Sequence, residues 1–166
     1  VDALEVRIES ECLRVLTLQH PVATDLRFLV AVFKVNPHLE RLGDLAVNIA
    51  KRSIYFARHR DIEWPPDLHR MAGRALSMVV RALAAFAGPD EALAREVYGE
   101  DDEVDRMRRE FLALIARGIQ ERPEHTESWM ELSSLVRHLE RMADVATHVA
   151  EEVIYYVTGE IVRHVK

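Results

Sequence analysis

Two segments of the chain, one hundred residues apart, share half of their sequence. Residues 38–55 read HLERLGDLAVNIAKRSIY and residues 138–155 read HLERMADVATHVAEEVIY, with nine of eighteen positions identical. Average residue usage gives about one match by chance over this length. The repeat keeps an acidic pair, Glu-x-x-x-Asp, as well as apolar positions. Preserving the packing of a duplicated core requires only that its apolar residues be kept. The acids that are also kept in both copies therefore indicate a chemical role.

Apolar residues recur at intervals of three and four along almost the whole chain, the spacing that buries one side of a helix. Helix breakers are few, with six glycines and six prolines among 166 residues. Residues 22–60 continue the helical spacing through Asn36-Pro37, and nothing in the chain keeps the alternation of a strand. The sequence therefore predicts an all-α protein.

Breaks at His20-Pro21, Asp61–Pro66, Gly88-Pro89 and Arg122-Pro123 divide the helical pattern. We predict a first helical repeat over residues 1–60, a linker over 61–66 and a second, three-helix repeat over 67–166. One helix is expected to run from about Leu93 to about Ile119. In the last segment, Ser128 and Glu131 are spaced as a capping box.

The two repeats differ in their number of helices. Aligning them places Val1-Asp2 opposite Val104-Asp105, so the first repeat has two helices where the second has three. We therefore expect tandem three-helix bundles with the first helix of the first bundle missing from this chain. Two amphipathic helices without a third should leave an apolar groove, and the sequence does not say whether another segment or another chain fills it.

Composition excludes several functional classes. The formal net charge is −6, from 28 acidic and 22 basic residues, which argues against a nucleic-acid-binding protein. The single cysteine, Cys12, excludes an intramolecular disulfide and fits a reducing compartment. We find no signal peptide and no apolar run long enough for a membrane span, so we expect a cytoplasmic protein. Phosphate-binding glycine loops and the common hydrolase motifs are absent from the sequence.

The duplicated pairs are Glu40 with Asp44 and Glu140 with Asp144. Residues four apart lie on one face of a helix, where like charges repel by a few tenths of a kcal/mol. A cation would relieve that repulsion, and carboxylates suit magnesium, manganese or iron, while an adjacent imidazole admits zinc or iron. The same face continues to Asn48 in the first copy and to His148 in the second. The alternative is a solvated acidic surface, which is the usual role of a single such pair.

A second acidic cluster, EDDEVD, occupies residues 100–105. On a helix, Asp101 and Asp105 share a face, as do Asp102 and Asp105, and Asp105 aligns with Asp2 of the first copy. We treat Asp102 and Asp105, with Asp2, as weaker candidates for a metal site. A charged helix surface is the favoured explanation of the cluster.

These segments together resemble the PhoU family of phosphate-signalling regulators. The stretches LERLGDLAVNIAK and LERMADVATHVAEEVIYYVTGE are similar to the two signature segments of that family, QHPVATDLRFLVAVFKV to the segment before the first signature, and DDEVDRM to its acidic segment. The resemblance covers nearly the whole chain. It implies a fold of two tandem three-helix bundles.

The resemblance also implies a function. Members of the family are non-enzymatic and cytoplasmic, associate with the ATPase of the phosphate ABC importer and with a sensor histidine kinase, and repress the phosphate-starvation response. A homodimer, and association with the membrane through partners, are expected as well. Some members bind metal clusters through the duplicated acids. The resemblance therefore points to Glu40, Asp44, Glu140 and Asp144 as metal ligands, with Asp102 and Asp105 as weaker candidates. His148, which replaces the Asn of the first copy, is a further candidate that could change the metal preference.

Three hypotheses remain open from the sequence. The first is a regulator that binds divalent or trivalent metal, with iron or zinc favoured and magnesium or manganese as alternatives. The second is a metal-dependent helical-bundle enzyme using the same carboxylates, although no nucleophile is recognisable. The third is a metal-free helical interaction scaffold in which the acids serve solubility.

Overall fold

Residues 2–162 form six α-helices and one short 3-10 helix. The structure, a computed structural model, describes residues 2–162, and these contain no strand. The helices are α1 (Asp2–Gln19), α2 (Ala23–Arg58), α3 (Asp67–Ala87), α4 (Glu91–Gly99), α5 (Asp101–Glu121) and α6 (Thr126–Thr158), with the 3-10 helix over Pro123–His125. The expectation of an all-α bundle is confirmed, and α2 is helical on both sides of Pro37.

Helix α6 lies at the centre of the molecule. Its 33 residues span about 50 Å, and it contacts α2, α3, α4 and α5. Apolar residues cover most of its circumference, as expected for a helix surrounded by others. Its fully buried side chains include Leu132, Val136, Val149, Val153 and Ile154. The second signature segment therefore lies on the most enclosed helix of the described chain.

Helix α3 supplies the clearest amphipathic stripe. Its buried residues are three or four positions apart and so lie on one face of the helix: Leu68, Met71, Ala75, Met78, Ala82 and Ala85. The alanines allow α3 to approach α6 closely, and the two methionines fill the remaining volume. Tyr156 of α6 donates a hydrogen bond of 3.0 Å to the carbonyl oxygen of Phe86, so the C-terminal ends of the two helices meet.

The first repeat is an α1–α2 hairpin. Among the described elements, α1 contacts only α2, and α2 joins the hairpin to α6. Leu4, Val6, Leu13 and Leu18 of α1 are between 51% and 67% exposed. The expectation that this hairpin presents an apolar surface agrees with the structure. The side chain of Cys12 on α1 is buried, with 6% exposure.

Two local expectations were wrong. The helix predicted from Leu93 to Ile119 is divided at Glu100 into α4 and α5. Backbone hydrogen bonds at this point join residues three apart, because the Glu100 amide donates to the Val97 carbonyl and the Glu103 amide donates to the Glu100 carbonyl. Gly99, a weak helix former, precedes this turn. Ser128 does not cap α6, because the helix already begins at Thr126.

Ser128 instead connects three parts of the fold. Its hydroxyl donates to a carboxylate oxygen of Asp61 at 3.1 Å and lies 3.1 Å from the hydroxyl of Tyr55. This network ties the end of α2 and the following loop to α6. No helix within residues 2–162 combines the length and the apolar character that crossing a membrane demands.

Candidate functional site

The acids of the second repeat lie along the seam between α5 and α6. Glu140 and Asp144 are one turn apart on α6, and both are half-buried. Asp101 and Asp105, one turn apart in the first part of α5, act on Asp144 as nearby negative charges. We call these four residues the second acidic site. Four carboxylates thus concentrate negative charge at one end of α5.

The carboxyl of Asp144 in this site has a strongly raised pKa. The pKa of its carboxyl is raised from the ordinary 3.8 to about 6, first by burial and then by the charges of Glu140, Asp101 and Asp105, against a lowering by His148. Ionisation of Asp144 therefore costs free energy, and a bound cation would reduce that cost.

Replacing Asp144 by asparagine is expected to stabilise the fold at pH 7. Between about pH 4 and pH 6 the folded chain retains a proton on Asp144 that the unfolded chain has lost, so stability falls as pH rises through that window. The gain at pH 7 should be about 1 kcal/mol, less than the full shift implies because solvent reaches the half-buried carboxyl. Urea unfolding with a chelator present measures it. The gain should vanish at pH 4, and equal stability at pH 7 would contradict the charge repulsion.

One cation of the protein already reaches the second acidic site. Nε of Arg108 on α5 lies 3.6 Å from a carboxylate oxygen of Glu140, and the two side chains are 37% and 18% exposed. Arg108 follows Asp105 by three residues, so it lies on the same side of α5. The ion pair links α5 to α6 beside Asp144.

The donors suit a metal ion by their chemistry. Carboxylates, with an imidazole nearby, are ligands for hard and borderline cations, and the raised pKa of Asp144 shows that their charge is not fully balanced. Within residues 2–162, no three acidic, histidine or cysteine side chains are placed together as a metal-binding group. The residues therefore fit a cation by charge and donor type, while their side chains are spread along the seam.

His148 takes part in a contact between the two repeats. Its ring stacks on that of His38 with the centroids 5.2 Å apart, and its Nδ1 lies 2.7 Å from the carbonyl oxygen of Asp144. The pKa of His38 is lowered by burial and by the neighbouring His148 and Arg41. The duplicated signature segments thus meet through these two histidines.

The first repeat presents its acids differently. Glu40 is half-buried, whereas Asp44 is exposed and Asn48 is half-buried. Glu40 and Glu5 both line a cavity of about 40 Å³ between α1 and α2. The side chain of Asp2, the remaining candidate, lies outside the described part of the chain. The two acidic pairs therefore share spacing but not environment.

The structure places the sequence candidates unequally. Glu140, Asp144 and Asp105 meet at the α5–α6 seam, and His148 lies one turn beyond Asp144. Asp102 is exposed, and Asp101 faces Asp144 instead, accepting a 3.3 Å hydrogen bond from the hydroxyl of Thr147. The sequence spacing allowed Asp101 with Asp105, but it equally allowed Asp102 with Asp105. Arg108 was missed, because its contact with Glu140 depends on how two helices are aligned.

Comparisons with known proteins assign the family. The profile of the PhoU domain matches residues 1–53 and 68–153. A relative from Aquifex aeolicus, named phosphate-specific transport system accessory protein PhoU homolog, is 37% identical over 164 residues, which cover 99% of this chain and 74% of that protein.

Solved structures agree with the sequence comparison. The crystal structure of PhoU from Pseudomonas aeruginosa superposes with a TM-score of 0.88 at 33% identity, covering 96% of this chain and 77% of that one. The phosphate transport system regulatory protein PhoU from Streptococcus pneumoniae superposes with a TM-score of 0.81 at 29% identity, covering 95% and 74%. The matched regions include both signature segments and the second acidic site, and the chain belongs to the PhoU family.

Proposed function

We propose that this chain is a non-enzymatic regulator of phosphate uptake. It represses the phosphate-starvation response when phosphate is plentiful, acting in the cytoplasm on the ATPase of the phosphate ABC importer and on its sensor histidine kinase. The observation that carries this proposal is the family membership, supported by relatives named as accessory proteins of phosphate-specific transport. The mechanism is conformational and involves no covalent chemistry.

The architecture supports an adaptor. The second signature segment lies on the long central helix α6 and the first on α2, which packs against α6. The α1–α2 hairpin leaves apolar side chains available for contact with other proteins. We include a homodimer and partner-mediated association with the membrane in the proposal. Both follow from the family resemblance.

The regulatory role is tested by deleting the gene in its host and measuring secreted alkaline phosphatase in phosphate-rich medium. Strong derepression that is reversed by restoring the gene is expected. Output that stays at the repressed level after deletion, in a strain with no second gene of the family, would remove the phosphate-signalling role.

We further propose that the duplicated acids bind metal, with iron or zinc favoured over magnesium or manganese. When bound, the metal would neutralise the second acidic site and join α5 to α6. Glu140, Asp144, Asp101 and Asp105 are the residues that would hold it, with His148 beside them. The support is the concentration of carboxylates around Asp144 and its raised pKa.

Replacing both Glu140 and Asp144 by alanine should reduce the metal content of the purified protein without unfolding it, because the two side chains are only half-buried. Metal analysis by mass spectrometry measures the content, and circular dichroism verifies the helices. The matched control replaces Glu124 in the 3-10 helix and Glu127 at the start of α6, both exposed, and should leave metal content unchanged. Equal metal in all three proteins would contradict metal binding by these residues.

A further inference from the structure

We propose that the end of α2 and the loop that follows it form a docking surface for an acidic segment of a partner protein. A cavity of about 280 Å³ opens there, and five residues line it: Phe56, His59, Arg60, Ile62 and Trp64. We call these five residues the α2–α3 patch. An apolar side chain of the partner enters the cavity, and its acidic neighbours pair with the bases around it. This inference rests on the proposed adaptor role.

The size and lining of the cavity suit a single side chain. Pockets for cofactors and other small molecules usually measure about 300–1,000 Å³, and this cavity lies below that range. Its lining includes the apolar side chains of Phe56, Ile62 and Trp64, together with His59 and Arg60, which are exposed. An aromatic or branched aliphatic side chain can therefore be enclosed there, as the anchor residues of protein interfaces are.

The orientation of Trp64 is fixed, although the residue is 38% exposed. Its Nε1 donates a 3.1 Å hydrogen bond to Nδ1 of His69, and its ring packs edge-on against Phe56 with the centroids 5.4 Å apart. Pro65 and Pro66 follow directly and restrict the backbone. A side chain that is already held in place loses little conformational entropy on binding. The α2–α3 patch is therefore prepared for contact before a partner arrives.

The charge beside the cavity is positive, in a chain whose net charge is −6. Residues 51–60 contain four bases and no acid: Lys51, Arg52, Arg58 and Arg60. Arg52 pairs with Glu131 on α6 at 2.6 Å. The other three bases are exposed, and no ion pair joins them to another side chain within residues 2–162. They are therefore available to the carboxylates of a partner.

The acids that follow α2 are engaged elsewhere. Asp61 accepts a 3.1 Å hydrogen bond from the hydroxyl of Ser128, a residue that is 2% exposed. Glu63 lines a different cavity, beside the end of α5. Asp67 lies 3.7 Å from Arg70 on its own helix. The bases at the end of α2 are therefore not neutralised by these acids, and an acidic segment complements their charge.

Fluorescence anisotropy with three labelled peptides, at low salt, tests the inference on the unmodified chain. EEDFDEE carries both the aromatic anchor and the negative charge, EEDADEE lacks the anchor, and KKRFRKK reverses the charge. EEDFDEE should bind about tenfold more tightly than either of the others, because it alone fills the cavity and complements the bases. Added salt should weaken its binding, since the exposed charges are then screened.

Variants of the chain locate the binding surface. Trp64→Ala and Arg60→Glu should each weaken the binding of EEDFDEE about tenfold. Trp64→Phe and Arg60→Lys keep the aromatic ring and the charge, and should leave the affinity within about threefold. Arg109→Glu makes the same charge reversal at an exposed position of α5 and should leave the affinity within about twofold. Circular dichroism confirms that each variant is folded.

The outcomes separate this inference from the proposed function. Equal affinity for the three peptides, no binding of any of them, or equal losses from Arg60→Glu and Arg109→Glu would overturn the docking surface. Binding of phosphatidylglycerol vesicles that Arg60→Glu abolishes, without binding of EEDFDEE, would overturn it in favour of a membrane contact. The deletion phenotype decides the proposed function independently of these results. Tight binding of EEDFDEE that depends on both Trp64 and Arg60 is the expected result.

Discussion

Replacing Gly118 by alanine is expected to lower the free energy of unfolding by about 3 kcal/mol, although alanine is the better helix former. Gly118 lies on the buried face of α5, and a methyl group built on its Cα would overlap the indole ring of Trp129 on α6. The overlap involves ring atoms rather than the end of a flexible chain. Either the indole must leave its position or α5 must move away from α6.

Gly73 provides the matched control for this prediction. It lies within α3, and nothing is found within 4 Å of a methyl group built there. Gly73→Ala should therefore raise the free energy of unfolding by up to about 1 kcal/mol through helix propensity alone. Urea unfolding followed by circular dichroism measures both variants. A Gly118→Ala protein as stable as the Gly73→Ala protein would contradict the close packing of α5 on α6.

Removal of the charge of Lys34 is the second change with a large expected effect. Its ammonium group lies 3.1 Å from a carboxylate oxygen of Glu152, whose side chain is 6% exposed, and 4.7 Å from the ring centroid of Tyr155. Lys34→Met keeps the aliphatic stem but leaves a buried carboxylate with one fewer cation. Breaking a fully buried pair costs about 3–5 kcal/mol.

The expected loss at Lys34 is smaller, about 2 kcal/mol, because its side chain is 35% exposed and water screens the pair. Adding Glu152→Gln should recover part of the loss, since the buried negative charge is then removed. Arg14→Met, which breaks the exposed pair with Glu11, should cost less than about 0.5 kcal/mol. Urea unfolding at pH 7 gives all three values. Equal losses from Lys34→Met and Arg14→Met would show that the Lys34 pair does not hold α2 to α6.

The helices were predictable where periodicity and breakers agree. The 3-4 spacing from Leu68 to Ala85 and the stop at Gly88-Pro89 define α3 in the sequence as they do in the structure. The break at Glu100 was missed, because the apolar spacing continues through it and only local hydrogen bonds reveal the turn. On one uninterrupted helix, both Asp101 and Asp102 share a face with Asp105, so their spacing could not tell which of them faces the acids of α6.

The candidate site was predictable only in part, for a related reason. The spacing of Glu140 and Asp144 is a property of one helix, so the sequence shows that they share a face. The approach of Arg108 to Glu140, and the stacking of His38 on His148, depend on how one helix is placed against another.

The central claim is that the duplicated acids carry the regulatory function, and exchange of all four for amides tests it most directly. The variant carries Glu40→Gln, Asp44→Asn, Glu140→Gln and Asp144→Asn, which keep the size of each side chain. It replaces the chromosomal gene, and secreted alkaline phosphatase is measured in phosphate-rich medium alongside the protein level. We predict derepression as strong as that of the deletion, at an unchanged protein level. Full repression by the variant would contradict the claim and leave the acids as a solvated surface.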